Sequence, residues 1–110
     1  MKLDSLPIGI TDWSLVAPSV QQGGLGTATK RIRQLGNIKI RLIEFSANFV
    51  SDQWCDKGHI VFVAAGEVTI VHKDGRTYPL SPGSTYHVSD DVESPHRLES
   101  QNGATIFVVD

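Results

Sequence analysis

Apolar and polar residues alternate over short stretches, with the period of a strand rather than a helix. In "NIKIRLIEF", Ile38, Ile40 and Leu42 alternate with Lys39 and Arg41; the phase then shifts, and Ile43 and Phe45 become the apolar pair. A bulge near Leu42 is expected, because one extra residue would bring both sets onto one buried face. No window of helical length keeps a 3.6-residue period, so the chain reads as nearly all β.

Turn chemistry divides the rest. In "HIVFVAAGEVTIVHKDGRTYPL", Ala65-Gly66 separates two apolar runs, and Asp74-Gly75 tolerates the positive φ of a tight hairpin. A three-stranded meander is predicted there. Pro82-Gly83 marks a corner, "STYHV" a short strand, "SDDVESP" a polar loop and "ATIFVVD" a closing strand. Strands recurring every ~8–12 residues indicate a sandwich or small barrel. Residues 1–25 read as a loop-rich arm, broken by Pro7, Pro18 and "QQGGLG", leading into an edge strand at "TATKRIRQL".

Composition narrows the class. A chain of 110 residues, 40% apolar and 20% charged, fits one folded domain, 1–110. A net charge of −2, with Lys30-Arg31-Arg33 the one short basic cluster, argues against a nucleic-acid partner. No apolar run approaches the roughly 20 residues that span a bilayer, and "MKLDSLPIGI" has an aspartate where a signal peptide is apolar. The expectation is a cytoplasmic protein with no membrane partner. The single cysteine, Cys55, excludes an internal disulfide and is either a small buried hydrophobe or a working thiol. "HIVFVAAG" is apolar at both parities, which predicts a core on one side and a homodimer interface on the other.

Candidate chemistry concentrates in "SDQWCDKGHIVFVAAGEV". Gln53, Cys55 and His59 share parity and can converge inside a barrel, while Trp54 faces the other way; a turn is expected at Asp56-Lys57-Gly58. A lone cysteine is ordinarily core, and His59 in register with it is what points to a metal. For "STYHV" the alternation leaves open whether Tyr86 and Val88 or their neighbours Thr85 and His87 face inward. His72 precedes the Asp74-Gly75 turn and is read as lying outside the site. Arg41 is read as a surface salt-bridge partner ahead of a fork for an internal carboxylate.

These residues resemble the cupins, whose motifs are G-x5-H-x-H-x3-4-E-x6-G and G-x5-P-x-G-x2-H-x3-N. Gly66 matches the closing glycine of the first, which puts His59 at the glutamate, Cys55 at the second histidine and Gln53 at the first. Gly83 matches the opening glycine of the second; Ser89-Asp90-Asp91 replaces P-x-G, and His96 in "SPHR" is the best match to the fourth ligand. More narrowly, "DQWCDKGHIVFVAAGEV", "DGRTYPLSPGSTYHVSDD", "PHR" and "IFVVD" resemble small single-domain bacterial cupins named for a DHCW motif, over roughly Gly36 to Asp110. Gln53 stands where that motif has histidine.

The resemblance implies a small antiparallel β-barrel, a double-sheet jelly roll. It further implies a divalent ion (zinc, iron, nickel or manganese) held by Cys55, His59 and His96. A thiolate with two neutral imidazoles suits such an ion and leaves a position open. Gln53 is expected to orient a bound water or ligand, and Tyr86 and His87 to lie near the pocket. Such a protein would bind or transform a small polar molecule, activating water or dioxygen or polarising a carbonyl. The alternative is a metal-free binding or regulatory module. No catalytic acid or base can be named from sequence.

Overall fold

The computed structural model describes residues 2–90 and 94–110. Ten strands follow in order: β1 Ser19–Gln22, β2 Thr27–Leu35, β3 Ile38–Phe45, β4 Phe49–Val50, β5 His59–Gly66, β6 Val68–His72, β7 Thr77–Leu80, β8 Thr85–Val88, β9 His96–Ser100 and β10 Ala104–Val109. They form a six-stranded sheet, β1-β2-β3-β10-β5-β8, facing a four-stranded one, β4-β9-β6-β7. Every pairing among the described strands is antiparallel. Ile43, Val61, Val63, Ile70, Ile106 and Val108 fill the space between the sheets. Alternate residues of each strand supply this core, as the period-2 pattern requires. The architecture is the expected double-sheet jelly roll.

Three local expectations are corrected. β3 carries no bulge at Leu42, because it pairs in unbroken register with both β2 and β10. Its two apolar phases are two faces: Ile43 and Phe45 enter the core, whereas Ile38, Ile40 and Leu42 are half-buried on the outer face. There Phe107, directly opposite Leu42, meets the edge of Trp13 at 6.4 Å. The bulge falls instead on β5, where Thr105 pairs with Ala65 and Ile106 with Val63, leaving Ala64 as the extra residue.

The meander is also corrected. β5 and β6 are consecutive in the chain but belong to opposite sheets, so Gly66 is a corner between sheets and not a hairpin turn. Gly66 has φ +74°, and a Cβ there would lie 2.2 Å from the carbonyl oxygen of Gly103. Only glycine fits such a corner. The Asp74-Gly75 hairpin joins β6 and β7 as expected, with the Asp74 carboxylate accepting from the Arg76 amide at 3.1 Å.

The third correction concerns the arm. "TATKRIRQL" forms β2, but β1, from within the first 25 residues, pairs with it and takes the sheet edge. Before β1, a short 3-10 turn at Trp13–Leu15 is capped by Asp12. Of the loop expected at "SDDVESP", Asp91 to Glu93 lie outside the described residues. No helix among the described residues is long and apolar enough to cross a membrane.

Candidate metal centre

After β4 the chain continues irregularly beside β9. Ser51 donates its amide to Leu98 O, and Cys55 and His96 exchange two backbone hydrogen bonds of 2.8 and 2.9 Å. Directly opposed residues of an antiparallel pair present their side chains to the same face. Cys55 and His96 therefore both point inward from the four-stranded side. His59 opens β5 on the other sheet and shares parity with buried Val61 and Val63, so it points inward to meet them.

The donor atoms of Cys55, His59 and His96 all lie within 4.8 Å of one another. Cys55 Sγ is 3.5 Å from His59 Nε2. With bonds of about 2.3 Å to sulfur and about 2.0 Å to nitrogen at the tetrahedral angle, two such donors of a zinc ion stand about 3.5 Å apart. His96 is only 2% exposed, and among the described residues neither of its ring nitrogens has a hydrogen-bond partner. Buried polar atoms are almost always partnered, so the orphaned imidazole marks a place for a bound group. Burial, with His59 and His72 nearby, pushes the His96 pKa down to about 4, which keeps the ring neutral and able to ligate. The residues present fit a divalent ion.

The surrounding residues set the orientation of the donors. His59 Nδ1 donates to the Asp110 carboxylate at 2.5 Å, leaving Nε2 as the lone pair turned toward Cys55. Arg41 Nε stands 3.0 Å and Lys39 Nζ 3.7 Å from the same carboxylate. Burial works to raise the Asp110 pKa, but the His59 hydrogen bond and the Arg41 charge outweigh it and hold it below the usual carboxylate value. A carboxylate fixing the far nitrogen of a ligating histidine is a common arrangement around protein-bound metals. The Cys55 sulfur also lies 3.5 Å from the Lys57 amide; the turn expected at Asp56-Lys57-Gly58 does not form, the chain running irregularly there and bending instead at Asp52-Gln53.

The triad lines a cavity of 220 Å³. Its floor is apolar, with Ile43, Phe45 and Ile106 among the lining residues, and Lys30, Arg41 and Gln53 also line it. Arg41 forms the expected ion pair, with Asp110, but at the cavity and not on the surface, its side chain only 16% exposed. Gln53 is exposed. Trp54 faces away and carries the Arg97 guanidinium over its ring at 4.7 Å.

Tyr86 is buried and His87 lies on the exposed face of β8. Both line a second cleft between β7 and β8, and neither lines the triad's cavity. Tyr86 meets a residue that sequence reasoning excluded. His72 is buried, donates Nδ1 to Ser94 O at 3.1 Å and accepts the Tyr86 hydroxyl on Nε2 at 2.8 Å. It lies directly across the ladder from His96, their rings 5.8 Å apart. The alternation Val68, Ile70, His72 on β6 was the signal for it, as Ile106, Val108, Asp110 was for Asp110.

No protein-family model matches the sequence, and none of the curated proteins does. Solved structures do match in shape. An RmlC-like cupin from Shewanella frigidimarina superposes with a TM-score of 0.72 over 96% of this chain and 91% of its own, at 13% identity. The polyketide cyclase RemF from Streptomyces resistomycificus gives 0.72 over 94% and 78%, at 18% identity. A cupin-superfamily sugar phosphate isomerase from Silicibacter pomeroyi gives 0.71 over 92% and 74%, at 18% identity. Two facing antiparallel sheets, matched over almost the whole chain, give this protein the fold of the cupin superfamily.

Proposed function

We propose that Cys55, His59 and His96 hold a divalent ion, zinc, iron, nickel or manganese, and that the cavity beside it takes up a small polar molecule. The observation that supports this most is the meeting of three donors from three separated segments within 4.8 Å, one of them a buried histidine with no hydrogen-bond partner among the described residues. A bound ion of this kind supplies Lewis acidity, lowering the pKa of a bound water toward neutrality or polarising a substrate oxygen.

The chain's own residues have separable tasks. Asp110 keeps the proton of His59 on Nδ1. The apolar floor limits water, and Gln53, at the exposed edge, offers an amide to orient a water or ligand. Neighbours of the same fold include an isomerase and a cyclase of small molecules, but fold does not select a reaction.

Metal analysis of freshly purified protein is the test. About one equivalent of ion, lost in Cys55→Ala with folding retained, is expected. Folded protein that takes up no ion when offered each metal in turn would leave the metal-free binding module as the better reading.

The homodimer belongs to this proposal. Ile60 and Phe62 are each 41% exposed on the outer face of β5, beside half-buried Phe107 and Val109 on β10. Covering that face with a second copy would bury it. Light scattering is expected to return twice the chain mass, and a monomer at micromolar concentration would exclude the interface.

A further inference from the structure

We propose that the molecule taken into this cavity is a small carboxylate, and that Lys30 is its counter-charge. This rests on the reading of the cavity as a binding site. Lys30 shares parity with buried Ala28 on β2 and lines the cavity with the three proposed ligands. It is half-buried, yet makes no hydrogen bond or ion pair among the described residues. Lys39 and Arg41, on the adjacent strand, both spend their charge on Asp110, which is shared with His59 as well. Arg97, the other cation lining the cavity, pairs with Glu99 at 3.2 Å. Of the Lys and Arg side chains lining the cavity, Lys30 alone has no carboxylate partner among the described residues.

An ammonium removed from water is costly unless it is paired. Burial, followed by repulsion from Arg41 and Lys39, pulls the Lys30 pKa down, with the Asp110 charge only partly offsetting them, and a bound anion would offset them further. Asp52, the one carboxylate among the described residues that line the cavity, is exposed. A single ammonium with glutamine amides nearby, Gln21, Gln22 and Gln53, suits a carboxylate's one charge better than the higher charge of a phosphate. At 220 Å³ the cavity is below the roughly 300–1,000 Å³ of drug-sized pockets, so the acid has only a few carbons.

Calorimetric titration of the purified protein with acetate, propionate, lactate and malonate tests this. Each acid is compared with its neutral amide and with inorganic phosphate. At least one acid should bind ten times or more tightly than its amide and than phosphate. Lys30→Met should remove that preference and Lys30→Arg should restore it, with metal content unchanged in both. Equal binding of acid and amide, tighter binding of phosphate, no binding of any acid, or an unaltered Lys30→Met variant would overturn the assignment. If Lys30→Met does not fold, the comparison of acid with amide on the unaltered protein decides. The same titration on chelator-treated protein separates the two proposals, because loss of the metal reading leaves the pairing of an acid with Lys30 measurable.

Discussion

His59 and Asp110 are 51 positions apart in sequence and joined by a 2.5 Å hydrogen bond, Nδ1 to carboxylate. The contact follows from register. Val109 lies opposite Ile60, so the next step of the ladder sets Asp110 against His59, while on its other side Asp110 exchanges backbone hydrogen bonds with Lys39. One carboxylate therefore orients a proposed ligand and gathers two cations.

Replacing that carboxylate should loosen the site without unfolding the barrel. Asp110→Asn keeps an acceptor for Nδ1 but removes the charge. Metal affinity, measured by competition with a chromogenic chelator, is expected to fall about 10–100-fold. Unchanged affinity would mean that Asp110 serves only the ion pairs.

Acid should destabilise the metal-free protein in a defined window. The folded-state pKa of His96 is about 4 against an ordinary 6.5, so between those values the unfolded chain binds the proton first. Stability is unaffected above about pH 6.5, falls as pH drops toward 4 and levels off below. At 1.36 kcal/mol per pKa unit the ceiling is on the order of 3 kcal/mol. Asp110 acts in the same direction but lower: its depressed pKa contributes stability above the ordinary carboxylate value, and this is lost as pH falls below it. Urea midpoints of chelator-treated protein from pH 7.5 to about 2 read both effects, and a flat curve down to pH 4 would contradict the burial of His96.

Tyr86→Phe removes a buried hydroxyl and leaves His72 Nε2 without its donor. A loss of about 1–3 kcal/mol is expected, seen as a lower urea midpoint with an unchanged slope. Metal content should not move, since neither residue is among the three donors. Loss of metal in this variant would place the pair within the site itself.

Gly66→Ala tests the corner between the sheets. Its Cβ would collide with backbone at Gly103 and Ala104 and would sit at a positive φ. The cost should exceed 2 kcal/mol or so, large enough to show as insoluble or unfolded protein. A melting temperature within a few degrees of the unaltered chain would show that β5 and β6 join differently.

Much of this was legible in the chain because strand period and turn residues are local. "STYHV", "ATIFVVD" and the Asp74-Gly75 hairpin are where alternation and turn chemistry put them, and Cys55 and His59 still face the same cavity across the irregular segment between them. What local pattern cannot carry is partnership. Ala65-Gly66 looks the same whether the chain folds back on its own sheet or crosses to the other. Leu42 and Ile43 look like a slipped phase because both faces of β3 are apolar. His72 sits one residue from an exposed turn and still belongs to the inner row, since β9 lies beside it. Asp110 becomes meaningful only once β10 lies between β3 and β5.

The reciprocal bridge between Cys55 and His96 has a mechanical side. Those two donors hang from one leaf of the sandwich and His59 from the other, so an ion shared by all three is a rivet through the seam. Loading it should slow amide exchange in β5 and β9 together, tying the rigidity of the whole shell to what occupies its mouth.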